Sequence, residues 1–227
     1  MSGILGIPIK YRIKNVLKLI PEEYGIPSDS KILDILRSKS GDEINVGNKK
    51  NKFPNIESVN YEKGEFDPIW FIYDLLWFKY DINKFGHNTE EHRKAELSIV
   101  QQHSPNKLLI RAYGSKPYFK APIGSIEKKD WNYTKSIMDN VEEKDVAIIT
   151  AIRETREETG IDITKIPNYL KRINLKSLEK VKNVFIYKFM IVLSLNEYNK
   201  NVIQVLKNPT EEFFDLLDPE ISEIKYI

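Results

Sequence analysis

The stretch "AIRETREETGID", residues 151–162, decides how this sequence is interpreted. Five consecutive positions of this stretch, 154–158, contain three glutamates: Glu154, Glu157 and Glu158. At 3.6 residues per turn, a helix over residues 145–159 places these three carboxylates within an arc of about 100°. The side chains on the other side of that helix are Ile148, Ile152, Thr155 and Thr159. The pattern therefore predicts a helix with a core-facing stripe and a separate carboxylate face, ended by Gly160.

Two interpretations of the carboxylate face are open. The first is an ordinary solvated acidic surface, and the second is a site that holds a divalent cation. Two features argue against the first, because like charges three and four residues apart repel and the helix dipole disfavours anions at the C-terminus. Carboxylate oxygens suit Mg²⁺ or Mn²⁺, whose remaining ligands are often substrate phosphates. Arg153 can pair with Glu157, four residues later, and fix its rotamer.

The composition excludes several kinds of site and of protein. The 227 residues contain no cysteine and only three histidines, which excludes disulfides and cysteine-bound metals and argues against a histidine-rich zinc site. The longest apolar stretch, residues 68–78, is too short to span a membrane and contains Asp74. We predict no signal peptide, because no basic region and cleavage site frame the N-terminus. With 41% hydrophobic and 30% charged residues and a net charge of +2, we expect a soluble, cytoplasmic protein without membrane partners.

The residue pattern divides the chain into two regions. Residues 1–93 are predicted to be mainly helical, with a polar loop over residues 41–60. Residues 94–227 alternate predicted strands and helices, which is typical of a mixed α/β domain. The predicted strands cover residues 95–102, 106–114, 117–124, 183–195 and 220–227, and the strand over 183–195 is expected to be central. A short helix is predicted over residues 208–217.

An aromatic segment, "DPIWFIYDLLWFKYD", occupies residues 67–81. Asp67 before Pro68 is a plausible N-cap, with proline in the first helical position. Its aromatic side chains are Trp70, Phe71, Tyr73, Trp77, Phe78 and Tyr80. They could stack on nucleic-acid bases, but a buried helix is the favoured interpretation.

The sequence "RETREETGI" (153–161) resembles the core of the Nudix box, Arg-Glu-aliphatic-x-Glu-Glu-x-Gly-aliphatic. The residues that fit are Arg153, Glu154, Glu157, Glu158, Gly160 and Ile161. Thr155 stands where an aliphatic residue is usual. The resemblance covers about residues 95–227.

The upstream part of the box departs from the pattern. The full box begins with a glycine, five residues, a glutamate and seven further residues before the arginine. Counting back from Arg153 gives Asp145 in the place of the glutamate, and Gly124 of "APIG" takes the place of the glycine. Twenty residues separate these two positions, so we predict an insertion at about residues 125–144.

The resemblance implies a fold, a reaction and a set of ligands. The fold would be a Nudix-like α/β/α sandwich with a mixed sheet, preceded by the helical N-terminal region. The reaction would be hydrolysis of a pyrophosphate bond in a nucleoside diphosphate linked to another group, with Mg²⁺ or Mn²⁺ as cofactor. The implied metal ligands are Glu154, Glu157 and Glu158, of which Glu158 would be central and, with Glu157, catalytic. Arg153 would orient the glutamates, and Gly160 would end the helix.

A second resemblance points to the mRNA-decapping branch of the superfamily, which includes viral enzymes. "PEISEIKYI" (219–227) resembles the segment Asn-Glu-Ile-x-x-Ile-x-Trp near the end of decapping enzymes, with Pro219 and Tyr226 in place of Asn and Trp. Glu220 would then be a general base or a metal-linked acid. "GSIEKKD" (124–130) resembles the Gly-Lys-Ile-x-Lys-Asp/Glu stretch of the same enzymes, without its first lysine. The implied substrate is the 5′ cap of mRNA, releasing m⁷GDP in the cytoplasm, or in the host cytoplasm if the protein is viral.

A basic segment follows the box. Its cations are Lys171, Arg172, Lys176, Lys180 and Lys182. Such runs are usually solvated surface, but these residues could bind RNA phosphates along the path of a capped transcript. The sequence implies no specific DNA partner and indicates no oligomeric state.

Two alternatives to decapping stay open. One is a small-molecule Nudix activity on a dinucleoside polyphosphate, a nucleotide sugar or a diphosphoinositol polyphosphate. The other is a Nudix fold without activity, used for binding, against which the complete glutamate set argues.

Overall fold

The computed structural model describes residues 3–20, 25, 27–46, 49–73, 92–112 and 118–226. The strands are β1 (Gly3–Gly6), β2 (Glu43–Val46), β3 (Lys49–Lys52), β4 (His92–Gln101), β5 (Leu108–Ala112), β6 (Ile123–Ser125), β7 (Asn174–Val181), β8 (Val184–Leu193) and β9 (Ile221–Tyr226). The α-helices are α1 (Ile9–Leu17), α2 (Asp29–Ser38), α3 (Lys128–Ile137), α4 (Glu143–Thr159), α5 (Tyr169–Arg172), α6 (Leu195–Tyr198), α7 (Gln204–Lys207) and α8 (Glu211–Asp215). A π-helical turn, Asn199–Ile203, joins α6 to α7. Within the described part of the chain, no helix is both long and apolar enough to cross a membrane.

Two sheets form the C-terminal region, and they confirm the predicted mixed α/β class. The four-stranded sheet has the order β6-β4-β8-β7, with β4 and β8 parallel and the other pairs antiparallel. The three-stranded sheet has the order β1-β9-β5 and is antiparallel. The predicted central strand is confirmed as β8, whose inner residues Phe189, Ile191 and Leu193 are buried. Helix α4 packs against β4, β6 and β8.

The helix α4 forms where the sequence predicts one, with two additional residues at its start. A capping box opens it, because the Glu142 N–H donates to the Asp145 carboxylate at 3.0 Å. Gly160 ends it with a φ of 69°, a left-handed conformation that glycine adopts without strain. Thr155, which replaces the usual aliphatic residue, is fully buried and donates its hydroxyl to the Ala151 carbonyl at 2.7 Å. A buried threonine is tolerated here because its hydroxyl has this internal acceptor.

The N-terminal region contains more β structure than the sequence predicts. Residues 41–60 were expected to be a loop, and this is wrong, because β2 and β3 form an antiparallel hairpin. Cross-strand pairing of opposite charges supports this polar hairpin, with Lys50 Nζ 2.9 Å from Glu43 Oε1. Helices α1 and α2 agree with the predicted helical character.

The first strand crosses the predicted boundary between residues 93 and 94. Strand β1 pairs with β9, and Gly3 lies opposite Tyr226. A Cβ atom on Gly3 would lie 2.4 Å from the Tyr226 hydroxyl oxygen, so this register requires a glycine. Residues 3–6 therefore complete a sheet of the C-terminal region.

Two hydrophobic cores stabilise the two regions. The larger one fills the space between both sheets and α4, and the smaller one joins α1, α2 and the segment around Phe53 to residues 68–73. Residues 68–73 are the described beginning of the predicted aromatic helix. Asp67 caps it, since its carboxylate accepts a hydrogen bond from the Ile69 N–H at 3.0 Å. The remaining predicted aromatic residues, Trp77, Phe78 and Tyr80, lie outside the described residues.

Candidate active site

Strand β6 and helix α4 meet so closely that three consecutive residues of β6 contact charged groups of α4. The Ile123 N–H donates to Glu158 Oε2 at 2.8 Å. A Cβ atom on Gly124 would lie 1.8 Å from the carboxyl carbon of Glu154, so any larger residue would displace that carboxylate. The Ser125 carbonyl accepts a hydrogen bond from Arg153 at 2.9 Å. The predicted Gly124 thus lies directly against the predicted metal ligands.

Arg153 neutralises part of this acidic face. Its Nη1 atom lies 2.7 Å from Glu154 Oε1 and 2.8 Å from Glu157 Oε2. Glu154 is buried, whereas Glu157 is partly exposed and also lies 3.6 Å from Lys129 Nζ. The pairing of Arg153 with Glu157 is the one that the sequence predicts for residues four apart.

The acid that anchors Arg153 is Asp130, and this corrects the assignment of Asp145. Asp130 is buried and accepts from Arg153 Nε at 2.7 Å and from Nη2 at 2.9 Å. Asp145 instead lies in the first turn of α4 and caps that helix. Asp130 follows Gly124 by six positions, which is the Gly-x₅-acid spacing of the Nudix box. The additional residues therefore lie after Asp130, and part of the predicted insertion over residues 125–144 forms α3.

The two carboxylates before β9 approach the same end of α4. The Asp218 N–H donates to the Glu157 carbonyl at 2.8 Å, which ties this loop to the last turn of α4. The Glu220 N–H in turn donates to Asp218 Oδ1 at 2.8 Å. Glu220, predicted from the second resemblance, is near enough to Asp218 and Glu154 for their charges to interact.

Burial and mutual repulsion perturb these carboxylates. Burial raises the pKa of Glu154 to about 7, against the attraction of Arg153. Burial, together with the charge of Asp218, raises the pKa of Glu220 to about 7. Burial and the charge of Glu154 raise the pKa of Glu158 well above its ordinary value. Burial and mutual repulsion thus disfavour the ionised forms of these carboxylates, and a nearby cation would favour them.

Two lysines outside α4 face this cluster. Lys120, which pairs through its backbone with Ile110, opposes the rise in pKa of Glu158 and Glu220. Lys94 on β4, opposite Ser125 in the sheet register, does the same for Glu220. A polyanionic substrate at the cluster would meet both lysines.

The predicted metal ligands fit a hard divalent cation in chemistry. They offer carboxylate oxygens, which Mg²⁺ and Mn²⁺ prefer, and such an ion would favour their ionised forms. Among the described residues, no three acidic or histidine side chains are placed to hold one ion together. The reason lies in their present partners, since Glu154 and Glu157 turn toward Arg153 and Glu158 toward the Ile123 N–H.

The predicted RNA-binding residues lie elsewhere in the fold. Strand β7, which carries Lys176 and Lys180, is the opposite edge of the sheet from β6. Three strand spacings separate the two edges, which corresponds to about 14 Å. Lys171, Lys176, Lys180 and Lys182 are exposed. Arg172 differs from them, because it forms a bidentate pair with Glu197 at 2.7 and 3.0 Å.

Sequence reasoning missed four residues of this site, namely Asp130, Asp218, Lys94 and Lys120. Asp130 could have been found by counting forward from Gly124, whereas counting back from Arg153 led to Asp145. Asp218 stands two residues before Glu220, but the resemblance that located Glu220 begins at Pro219. No sequence signal marks Lys120, since only the approach of its strand segment to α4 brings it to the acids.

Comparison with known proteins gives likeness only at the level of structure. The chain matches no protein-family model and no curated protein sequence. One similar solved structure comes from a study of MutT from Aliivibrio salmonicida and Vibrio cholerae, with 12% identity and a TM-score of 0.30, covering 44% of this chain and 64% of that one. Another is a Caenorhabditis elegans Ap4A hydrolase binary complex, with 18% identity and a TM-score of 0.28, covering 45% and 66%.

A third similar structure is the Escherichia coli dihydroneopterin triphosphate pyrophosphohydrolase, with 15% identity and a TM-score of 0.29, covering 44% of this chain and 67% of that one. These proteins are Nudix hydrolases. The chain spans less than two thirds of the first two. At these scores the matches carry no inference about activity, which depends on the site itself.

Proposed function

We propose that the protein is a Nudix-type pyrophosphohydrolase that depends on a divalent metal ion. The observation that carries this proposal is the convergence of Glu154, Glu158 and Glu220, from two separate elements, on one buried cluster beside Gly124. Their residue types and spacing are those of the Nudix box and its distant acid. A purely structural cluster of this kind would be destabilising, because the carboxylates repel one another in a desolvated place.

In this proposal Glu154, Glu157 and Glu158 would hold Mg²⁺ or Mn²⁺. The ion would neutralise phosphate charge and lower the pKa of a water molecule. Arg153, anchored by Asp130, orients Glu154 and Glu157. Glu220 would accept the proton of the attacking water, and its position on a separate loop leaves it outside the set bound to Arg153. Lys94 and Lys120 would contact the phosphate chain of the substrate.

The finer proposal is that the substrate is a capped RNA end. Its support is the resemblance of residues 219–227 and 124–130 to decapping enzymes, together with the exposed lysines of β7. Strand β7, which carries Lys176 and Lys180, lies about 14 Å from strand β6, a separation that an RNA chain held at the acids can span. An mRNA substrate also agrees with the cytoplasmic location that the sequence predicts.

The runner-up is hydrolysis of a small nucleotide substrate. It needs only the acidic cluster with Lys94 and Lys120 and makes no use of β7. The ion pair of Arg172 with Glu197 favours the small-nucleotide substrate, since one of the five cations expected to bind RNA is already paired within the protein.

The first experiment is a product assay with Mg²⁺ or Mn²⁺ across capped RNA and a panel of free nucleotides. We expect turnover of at least one diphosphate-linked substrate, and a loss of at least about 1000-fold in Glu158→Gln, because a metal ligand and its charge are removed. Glu212→Gln on exposed α8 is the matched control and should keep full activity. Wild-type protein that leaves every substrate intact at high concentration overturns the proposal.

A second experiment separates the two substrates. Reversing the charge of Lys176 and Lys180 should lower cleavage of capped RNA at least about tenfold and flatten its salt dependence, because phosphate contacts are lost. Turnover of a free nucleotide should stay unchanged. The matched control reverses Lys31 and Lys49, two exposed lysines of the N-terminal region. If both double charge reversals lower cleavage of capped RNA equally, β7 has no specific role in RNA binding. The small-nucleotide activity is then the favoured function.

A further inference from the structure

Arg12 on α1 is a fully buried cation with no role in the predicted site. It donates to the Asp67 carboxylate from Nη1 at 3.0 Å and from Nη2 at 2.9 Å, and to the Tyr61 hydroxyl at 3.0 Å. Its other two hydrogen bonds go to the backbone carbonyls of Pro219 at 3.0 Å and Glu220 at 3.4 Å. All five N–H groups of the guanidinium thus have acceptors.

The backbone that Arg12 holds is that of the proposed general base. Pro219 and Glu220 form the turn between Asp218 and β9, and the Glu220 N–H donates to Asp218 Oδ1 within this turn. The Glu220 carboxylate interacts electrostatically with Asp218 and with Glu154. A carbonyl bound to a rigid guanidinium fork cannot rotate freely. The position of the Glu220 carboxylate therefore depends on a residue from the N-terminal region.

Asn15 of α1 and Lys18, the residue that follows α1, hold the segment just upstream of this turn, including the end of α8. Asn15 Nδ2 donates to the carbonyls of Phe214 and Leu217, both at 2.8 Å. Lys18 Nζ donates to the Asp215 carbonyl at 2.9 Å. Arg12 and Asn15 lie three residues apart and so on one face of α1. This face binds carbonyls along residues 214–220, which makes the loop a continuation of the helix surface.

The far side of Arg12 is anchored equally firmly. Asp67 is buried, and it accepts from the Ile69 N–H as well as from Arg12. Tyr61, the other partner, is tied to the three-stranded sheet because Arg111 on β5 donates to its carbonyl. Arg12 therefore joins the N-terminal region, β5 and the loop of Glu220.

We propose that Arg12, with Asp67 as its counter-ion, is a positioning residue that fixes the Pro219–Glu220 turn and so directs Glu220 at the acidic cluster. The inference rests on the proposed function for the role of Glu220. The positioning of the loop, however, is a property of the contacts and can be measured without turnover.

The test without turnover is amide hydrogen exchange in wild type, Arg12→Lys and Ile13→Val. Lysine keeps the charge but loses the fork that binds two carbonyls, so exchange at residues 218–221 should rise at least about tenfold. Ile13→Val changes a fully buried residue of the same helix without touching the loop, and should leave those amides unchanged. Equal protection of residues 218–221 in wild type and Arg12→Lys overturns the proposal, whether or not the protein is an active hydrolase.

The test with turnover uses a substrate that the wild type cleaves. Arg12→Lys should lower kcat at least about tenfold with KM within about twofold, because substrate binding at the lysines is untouched. In a Glu220→Gln background, Arg12→Lys should lower kcat by less than about twofold, since Glu220 is the group through which Arg12 acts. If Arg12→Lys lowers kcat by the same factor in both backgrounds, Arg12 has a merely structural role and the proposal is overturned.

A folding defect of Arg12→Lys does not block the test, because Asn15→Ala loosens the same loop and leaves Arg12 intact. It should raise exchange at residues 214–218 and lower kcat in the same direction. If the wild type cleaves nothing, the proposed function fails by itself, and the exchange result still decides whether α1 holds the loop.

Discussion

The two edges of the four-stranded sheet carry charge in opposite ways. At the β6 edge, Glu154 and Glu158 of α4 are buried, and a backbone N–H, an arginine or a glycine with no side chain faces each of them. At the β7 edge, the lysines are exposed and the one arginine forms a solvated ion pair. The sequence makes both edges look like charged surface. The difference shows that the burial of a charge, more than its abundance, marks where chemistry can occur.

After the loss of Glu158 itself, the largest expected effect at the β6 edge comes from filling the space at Gly124. In Gly124→Ala the Cβ would overlap the Glu154 carboxylate, so the Glu154 side chain must turn away from β6. We expect activity to fall about 100-fold, since a metal ligand displaced by about an ångström or more misplaces the reacting groups. Gly6→Ala is the control, because a Cβ there meets nothing within 4 Å. Equal activity of the two variants in the product assay contradicts the close approach of β6 to α4.

The next effect compares the two acids proposed for the upstream part of the box. Asp130→Asn removes the buried anion that anchors Arg153 and should lower the free energy of unfolding by about 3 kcal/mol, the lower end for a broken buried pair. The lower end applies because Glu154 and Glu157 remain as partners of Arg153. Asp145→Asn, at the cap of α4, should cost less than about 1 kcal/mol. Urea denaturation measures the loss of stability in both variants. A larger loss in Asp145→Asn than in Asp130→Asn would support Asp145 as the acid of the upstream part of the box.

A smaller effect concerns the ion pair at the β7 edge. The Arg172 guanidinium and the Ser194 N–H lower the pKa of Glu197 to about 2. A lowered pKa stabilises the fold above the unfolded value near 4.3, and this contribution is lost as the pH falls toward 2. Glu197→Gln should therefore cost at most about 1 kcal/mol at pH 7, because the pair is partly solvated. Denaturation of the wild type and Glu197→Gln at pH 3 and at pH 7 checks this prediction. A difference in free energy of unfolding between the two proteins that is larger at pH 3 than at pH 7 contradicts it.

The smallest effect lies in the turn between β7 and β8. Lys182 has a φ of 55°, a left-handed conformation that costs a residue with a Cβ more than glycine. Lys182→Gly should raise the free energy of unfolding by about 0.5 kcal/mol after the entropy cost of glycine is included. Lys180→Gly, inside the strand, should lower it instead. Two urea curves that shift in the same direction contradict the assignment of the turn.

Local patterns predicted β4, β5, α4, β8, α8 and β9, because their residues follow helical or alternating periods and end at recognisable caps such as Gly160, but they did not predict α3 or β7. The pairing of β1 with β9 and the Arg12 network could not be predicted. Both join residues about 200 positions apart, and periodicity within a segment contains no information about distant partners. The hairpin of β2 and β3 was missed because its stability comes from cross-strand pairs on a polar sequence. Asp130 was within reach of the sequence, since only the direction of counting hid it.

The pairing of β1 with β9 also determines the order in which parts of the chain can fold during translation. Strand β9 lies between β1 and β5, so neither of these strands can find its neighbour until residues 221–226 have emerged from the ribosome. Helix α4 has its core-facing partners β4 and β6 much earlier in translation. A nascent chain can therefore contain a folded carboxylate helix while Glu220 and its loop are still unplaced. Completion of the site is thus delayed until β9 is inserted between two strands that were made long before it.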